Sequence, residues 1–259
     1  MRTPRTTRPL FAALALWLAV SGAPATAQPA SVEAQPAELG SDLIVRRLAR
    51  GVWLHVSFKV VDEVRIPANG LIVTTGRMSL MIDTGWQASQ TERLLSWAQS
   101  TLGQPVEHLI VTHAHEDRMG GLAAAAERPI IVHGHAATAE IVAARGEGEF
   151  HWSFEFEERL NLGGETLHLF YPGPAHAPDN IVVWLPERRL LFGGCLIKSL
   201  PADGLGYVAD ADLKTWPSSV RRVIERYREA EILVPGHGPP GNARLLSHTM
   251  ELLERAAAP

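Results

Sequence analysis

The stretch LIVTHAHEDRMGG, residues 109–121, holds the most informative pattern in the chain. The apolar residues that open it predict the end of a β-strand, and the Gly-Gly pair that closes it predicts the start of a helix. His113, His115 and Asp117 lie between these two signals, at a turn that can point several side chains to one side. Imidazole nitrogen suits Zn²⁺ and an aspartate oxygen is an acceptable harder ligand, so these residues could serve two adjacent metal ions. A polar loop without metal is the alternative for this segment taken alone.

Three further segments place a metal-binding residue type directly after an apolar strand. His176 ends the stretch PGPAH, Cys195 ends FGGC, and His237 lies within VPGHG. Each is flanked by Gly or Pro, which are the residues that hold sharp turns. Any one of these could be an incidental loop residue. Together they converge on the chemistry of the first segment and predict one metal centre at the ends of several strands.

The order of strands and helices predicts a layered α/β domain. Apolar runs with strand propensity predict strands, and apolar residues at helical spacing predict helices. The predicted strands are 43–48, 52–60, 70–74, 79–82, 106–111, 129–132, 165–171, 181–185, 189–192 and 232–234. The predicted helices are 87–102, 120–127, 136–145, 212–228 and 242–256.

Length and composition describe an ordinary globular protein. The chain has 259 residues, 46% hydrophobic and 20% charged, with a formal net charge of −4. That length is enough for one large domain with a substantial core. The mildly acidic balance and the lack of a dense Lys/Arg patch argue against nucleic-acid or membrane-surface partners. We expect a monomer.

The first residues predict a cleaved signal peptide, residues 1–27. Three arginines precede the apolar run 10–20, and Ala25-Thr26-Ala27 supplies a small-x-small cleavage pattern. The run is too short to span a bilayer, which takes about 20 apolar residues. We therefore expect a periplasmic protein with a flexible N-terminal arm, residues 28–40, and a single domain, residues 41–259. Exported proteins often form disulfides, but Cys195 is the only cysteine and cannot pair within the chain.

Taken together, these motifs resemble the full ligand pattern of the subclass B1 metallo-β-lactamases, from about residue 43 to residue 253. Two further stretches, DTGW at residues 83–86 and Asp179-Asn180, also match the family. Arg118 stands where glyoxalase-II-like relatives usually have a histidine. Cys195 is a ligand that subclass B3 lacks, and His113 is the position that subclass B2 fills with asparagine.

The resemblance implies a four-layer αββα sandwich, with two mixed sheets flanked by helices. It also implies two Zn²⁺ ions, the first held by His113, His115 and His176, and the second by Asp117, Cys195 and His237. The activity implied is hydrolysis of the β-lactam amide bond of penicillins, cephalosporins and carbapenems by a metal-bound hydroxide, which gives antibiotic resistance. Asp117 would bond the hydroxide, and Cys195 would bind as a thiolate.

The resemblance assigns roles to residues around the metals as well. Lys198 would pair with the substrate carboxylate, because an ammonium serves well as a point charge. Tyr207 stands where many relatives carry an asparagine that polarises the lactam carbonyl, so either Tyr207 substitutes for it in part or that contact is absent. A flap covering residues 58–67 would present an apolar underside to substrate. The remaining assignments are Val61, Trp86 and Asn180 as substrate contacts, and Asp83 and Arg118 as residues that orient the ligands.

Two other functions stay open at this point. The first is a hydrolase of the same fold that acts on a thioester, lactone or phosphodiester, against which Arg118, Cys195 and Lys198 argue together. The second is a periplasmic zinc-binding protein without catalysis. A structural zinc site closes four protein ligands around one ion, whereas this pattern supplies three per ion.

Overall fold

The structure is a computed structural model that describes Met1 and residues 35–258. The predicted signal peptide, apart from Met1, and the first part of the predicted arm, residues 28–34, lie outside the described residues. Residues 35–258 fold as one unit. Strand β1, Ala37–Glu38, pairs with the strand that follows it, so the domain begins a few residues earlier than predicted.

The first sheet has eight strands, which lie side by side in sequence order. Strands β1 to β5 pair antiparallel, and β5 to β8 pair parallel. The strands after β1 are β2 (Leu43–Ala49), β3 (Val52–Val61), β4 (Val64–Thr74), β5 (Ser79–Ile82), β6 (Val106–Ile110), β7 (Ile131–His135) and β8 (Trp152–Phe154).

The second sheet has five strands in the order β13-β12-β11-β10-β9. All its pairs are antiparallel except β12 with β13, which is parallel. The strands are β9 (Glu157–Leu162), β10 (Glu165–Phe170), β11 (Val182–Leu185), β12 (Leu190–Gly194) and β13 (Ile232–Pro235). Both sheets are therefore mixed, as predicted.

Helices flank the two sheets. They are α1 (Ala88–Trp97), α2 (Glu116–Met119), α3 (Leu122–Ala126), α4 (Ala136–Arg145), α5 (Trp216–Arg226) and α6 (Arg244–Ala256). A π-helical turn, Ala98–Leu102, continues α1, and a 3₁₀ turn, Pro186–Arg188, joins β11 to β12. Among the described residues, no helix has the length and apolar character needed to cross a membrane.

Three apolar clusters fix the order of the layers. The middle cluster joins residues of the first sheet, such as Leu54 and Ile110, to residues of the second, such as Phe192. One outer cluster packs the other face of the first sheet against α1, α3 and α4. The other packs the second sheet against α5 and α6. This is the predicted four-layer αββα sandwich, and the prediction is confirmed.

Several element boundaries differ from the prediction. The helix predicted at 120–127 is the shorter α3, and an additional short helix, α2, precedes it and begins at Glu116, inside the histidine motif. The strand predicted at 129–132 is shifted to Ile131–His135, because Ile131 pairs with His108 on the neighbouring strand. Strands β8 and β9 were not predicted.

Candidate metal centre

All six predicted ligands come from loops that follow strands of the two sheets. The segment after β6 carries His113, His115 and Asp117 into α2. The other three come from the second sheet: His176 lies between β10 and β11, Cys195 follows β12 directly, and His237 follows β13. Because the two sheets pack face to face, residues that are far apart in sequence come together. The structure brings the side chains of all six close together.

Three histidines form the first ligand set. The Nδ1 atom of His115 lies 3.1 Å from Nε2 of His113 and 3.2 Å from Nε2 of His176. Nitrogen ligands bind Zn²⁺ at about 2.0–2.1 Å, so two of them on one tetrahedral ion lie roughly 3.3 Å apart. His115 therefore lies at the distance from each of the other two histidines that a shared zinc ion requires.

Asp117, Cys195 and His237 form the second set. Oδ2 of Asp117 lies 3.5 Å from Sγ of Cys195 and 3.0 Å from Nε2 of His237, and the sulfur lies 3.3 Å from that nitrogen. Oxygen, nitrogen and thiolate sulfur are all accepted by Zn²⁺, and the thiolate selects against hard ions such as Mg²⁺. Asp117 also clusters with His113 and His115, so the two sets are adjacent.

The protonation of the first set suits metal binding. Burial and the nearby Lys198 ammonium lower the pKa of His176 to about 2. Burial, together with the neighbouring His176, holds the pKa of His113 well below its ordinary value. A histidine must be neutral to bind a metal ion, so these rings are ready to act as ligands at neutral pH.

The second set carries negative charge that the chain balances in the absence of a metal ion. Burial alone would raise the pKa of Asp117, but Arg118 and His237 outweigh it and hold that pKa well below its ordinary value. Burial would lower the pKa of His237, but Cys195 and Asp117 raise it to about 10. The protonated ring of His237 thus supplies positive charge next to Asp117 and Cys195, and a metal ion that bound there would displace the proton.

Arg118 is fully buried and donates hydrogen bonds to Asp117 of the second set. Its guanidinium donates to Oδ2 of Asp117 from Nε at 2.9 Å and from Nη2 at 2.7 Å. It also donates to Oδ2 of Asp83 at 3.2 Å and to the carbonyl oxygens of Asn69 and Gly236 at 2.6 and 2.9 Å. One side chain therefore joins the Asp117 turn to the loop that carries His237.

Asp83 holds the chain segment that leads into the first ligand set. It adopts a positive φ of 58°, an uncommon conformation for a residue other than glycine. Its carboxylate accepts hydrogen bonds from the backbone N–H and the hydroxyl of Thr112, at 2.8 and 2.9 Å. Thr112 directly precedes His113, so Asp83 fixes the chain where the histidine motif begins. Burial raises the pKa of Asp83 to about 6, although Arg118 opposes that shift.

Asn180 does not lie in the cavity, which corrects its prediction as a substrate contact. Its side chain is buried, accepts from the N–H of Ala177 at 2.9 Å and donates to the carbonyl of Gly173 at 3.2 Å. Both ends of the amide are thus used to fold the His176 loop. The adjacent Asp179 accepts a hydrogen bond at 2.8 Å from the backbone N–H of Ala114, the residue between His113 and His115.

Asn69 and Asp210 are positioning residues that the sequence did not reveal. Asn69 donates to the carbonyls of Pro235 and Gly238 at 2.9 and 2.7 Å, which holds the loop around His237. Asp210 accepts from Nε2 of His115 at 3.1 Å, so this ring presents Nδ1 to the cluster. Such carboxylate contacts fix the tautomer and orientation of a ligating histidine. No local pattern marks either residue, because each acts through a contact distant in sequence.

Tyr207 lies over the same histidine. Its ring meets the ring of His115 edge to face, with centroids 5.5 Å apart, and its hydroxyl donates to Oδ2 of Asp210 at 3.2 Å. The hydrogen of the hydroxyl is therefore used within the protein. Of the two alternatives drawn from the sequence, this geometry favours the absence of the carbonyl contact.

Members of both ligand sets, namely His115, Asp117, His176 and His237, form the floor of a cavity of about 850 Å³. Lys198, Trp86 and Val61, which the sequence predicts to contact substrate, line it, and so does Tyr207. The flap is the hairpin of β3 and β4, and its turn residues Asp62 and Glu63 both have positive φ. Lys59 and Glu116 also line the cavity and form an ion pair that the sequence did not predict.

Comparison with known proteins agrees with this geometry. The family model of the metallo-beta-lactamase superfamily matches residues 65–237. The metallo-beta-lactamase type 2 of Bacillus sp. (strain 170) is 38% identical over 210 residues, which covers 81% of this chain and 82% of that protein. The resemblance drawn from the sequence is thereby confirmed.

Solved structures agree as well. A metallo-beta-lactamase from Pontibacter korlensis has a TM-score of 0.80 and 42% identity, covering 82% of this chain and 99% of that one. The metallo-beta-lactamase FIM-1 from Pseudomonas aeruginosa, solved in a mono-zinc form, has a TM-score of 0.79 and 36% identity, covering 86% of this chain and all of that one. The chain therefore belongs to the metallo-β-lactamase superfamily, as a metal-binding hydrolase of the type 2 group.

Proposed function

We propose that this chain is an exported β-lactamase that uses two Zn²⁺ ions to hydrolyse the amide bond of penicillins, cephalosporins and carbapenems. The observation that carries the proposal is the pair of adjacent three-residue ligand sets on the floor of one cavity. Three ligands per ion leave a coordination position open, which is the mark of a catalytic rather than a structural zinc site. When bound there, Zn²⁺ supplies Lewis acidity and a water nucleophile that ionises near pH 7.

The ligand residues divide the work between the two sets. Histidine binds a metal ion as a neutral imidazole, so His113, His115 and His176 would leave the charge of the first ion largely intact and favour ionisation of the water. Asp117 clusters with ligands of both sets, which places its carboxylate to accept a hydrogen bond from the attacking water. The second set lies beside it and would hold the other Zn²⁺ ion, whose positive charge would stabilise negative charge on the lactam nitrogen as the C–N bond breaks.

Lys198 is the residue that would bind the substrate carboxylate. It is buried in the cavity wall, and among the described residues no carboxylate lies within 4.0 Å of its ammonium. Burial lowers the pKa of Lys198, although Cys195 and Asp117 oppose that shift. A buried ammonium without a carboxylate partner is costly, and an anionic ligand would remove that cost.

Part of the cavity wall is an apolar contact surface for a substrate. Trp86 and the hairpin residue Val61 line it, and Val61 is partly exposed, as an apolar contact surface would be. Tyr207 closes the side above His115. These residues can exclude water around the lactam ring while the polar floor carries out the reaction.

Export and oligomeric state are part of the proposal. The basic n-region, apolar run and Ala-x-Ala pattern of residues 1–27 support secretion to the periplasm. Expression in a bacterial host should give a periplasmic protein whose N-terminal residue is Gln28, and a cytoplasmic protein that begins at Met1 would contradict export. We expect the mature chain to sediment as a monomer.

The role of Lys198 can be tested in the zinc-loaded mature chain. Lys198→Met should raise KM for penicillins about tenfold or more, because a charge-assisted contact is worth about 1.5–3 kcal/mol, while kcat changes less. Lys214→Met serves as the control, since Lys214 is exposed and does not line the cavity. An unchanged KM in Lys198→Met would rule out this residue as the carboxylate contact.

A further inference from the structure

The charges that line the cavity are unevenly distributed. Lys59 is already neutralised, because both carboxylate oxygens of Glu116 lie 2.5 Å from its ammonium. Asp62, at the tip of the same hairpin, has no ion-pair partner among the described residues. Arg65, the next cation along the hairpin, does not line the cavity and donates to the carbonyl of Ser41 at 2.6 Å. Lys198 is thus the one cavity-lining cation of the described chain that lacks a carboxylate partner.

These charges lie on two different sides of the cavity. Lys198 follows strand β12 of the second sheet, whereas Lys59 belongs to β3 of the first sheet. Glu116 is held beside Lys59, and Lys59 in turn lies 5.7 Å from the ring centre of Trp86. The side formed by the first sheet therefore has an acidic balance, with one paired cation and the free carboxylate of Asp62.

A penicillin has two groups that could contact these two sides of the cavity at the same time. Its carboxylate is on the five-membered ring and its acylamino side chain is on the four-membered ring, at opposite ends of the fused bicycle. If Lys198 holds the carboxylate and the metal floor holds the lactam bond, the acylamino side chain extends away from Lys198, toward the side that Trp86, Lys59 and Glu116 line.

We infer that this enzyme discriminates against β-lactams whose side chain carries a second carboxylate, and that Glu116 and Lys59 are the residues that set this discrimination. A second carboxylate finds no free cation on that side and faces Asp62 and Glu116. The inference rests on the proposed function, since it concerns the side chain of the same substrates. The pair is partly exposed, so each of its charges should change the preference about two- to fivefold, the range of an exposed ion pair.

The test compares two substrates that differ by one group. Benzylpenicillin and carbenicillin share the bicycle and the phenyl side chain, and carbenicillin adds a carboxylate on the side chain. The measured quantity is the ratio of kcat/KM for benzylpenicillin to kcat/KM for carbenicillin, with the zinc content of every variant determined. Effects on the metal floor cancel in the ratio, because they act on both substrates.

Two variants should move the ratio in opposite directions. Glu116→Gln frees the charge of Lys59 and should lower the ratio about two- to fivefold, whereas Lys59→Met leaves Glu116 unneutralised and should raise it by a similar factor. Glu225→Gln, an exposed acid on α5 outside the cavity, is the control and should leave the ratio unchanged. The wild-type ratio should also fall when the salt concentration is raised from about 0.1 M to about 1 M. The Debye length shrinks from about 10 Å to about 3 Å over that range, so the repulsion of the second carboxylate is screened.

The outcomes separate this inference from the proposed function. Turnover of benzylpenicillin with a ratio that neither variant moves, or that both variants move in the same direction, would overturn the inference and leave the proposed function intact. No turnover of either substrate by the zinc-loaded wild-type chain would refute the proposed function, and the inference with it.

Discussion

Replacing Arg118 by alanine tests how the chain holds the second ligand set together before any metal binds. The substitution removes a fully buried cation that contacts two buried carboxylates, Asp83 and Asp117, and two backbone carbonyls. Breaking a buried ion pair by removing one partner costs about 3–5 kcal/mol, because it leaves a buried charge without compensation. We therefore expect the free energy of unfolding of the metal-free chain to fall by about that amount at pH 8.

The loss should depend on pH in a defined direction. Burial already raises the pKa of Asp83 to about 6, and the loss of Arg118 should raise it further. A carboxyl that binds its proton more tightly in the folded chain contributes full stability at low pH, and that contribution is lost as the pH rises through its folded pKa. In Arg118→Ala, protonation of Asp83 can remove its uncompensated charge at pH 5 but not at pH 8. The loss of unfolding free energy should therefore be smaller at pH 5 than at pH 8 by at least about 1 kcal/mol.

The assay is urea unfolding of the chelator-treated mature chain at both pH values. Arg228→Ala is the control, because Arg228 is exposed and lies outside the cavity. A loss below about 1 kcal/mol at both pH values, or a larger loss at pH 5 than at pH 8, would refute the electrostatic account of this residue.

Three further predictions concern other parts of the chain. Cys195→Ser should weaken the second zinc site more than the first in a competitive zinc titration, and equal weakening of both would contradict the ligand assignment. Asp210→Ala should lower the affinity of the first site about ten- to hundredfold in the same titration, because it frees a ligating ring, and Tyr207→Phe should have a smaller effect. Burial and the neighbouring His108 lower the pKa of His133 to about 4, so this histidine stabilises the metal-free chain above pH 6.5 and its contribution is lost as the pH falls toward 4. His133→Gln should remove up to about 3 kcal/mol of that pH dependence in urea unfolding, and an unchanged dependence would show that His133 titrates normally.

The ligands could be predicted from the sequence because each carries a local signal. A histidine or cysteine that directly follows an apolar strand, beside Gly or Pro, stands out before the fold is known. The same holds for the buried strands, whose apolar runs, such as Val182–Leu185, are clear. The alternation of strands and helices predicts a layered α/β domain, whereas the order of the four layers was implied by the resemblance to the metallo-β-lactamases.

The missed features depend on contacts that the sequence does not display. Strand β9 alternates exposed and half-buried residues at the edge of a sheet, so it lacks an apolar run. Strand β8 has three residues, of which Trp152 is exposed, and this obscures its period. The side chain of Asn69, that of Asp210 and the Lys59–Glu116 pair make contacts between residues 57 or more positions apart, and only the folded chain brings these partners together.

The measurement that tests the central claim most directly is hydrolysis of a carbapenem by the mature chain, residues 28–259, with added zinc and then with a chelator. Turnover that the chelator abolishes and zinc restores, with about two zinc ions bound per chain, is the predicted result. A penicillin and a cephalosporin measured beside it should also be hydrolysed. No turnover of any of the three by the fully zinc-loaded chain would contradict the account and point to thioesters or lactones as substrates.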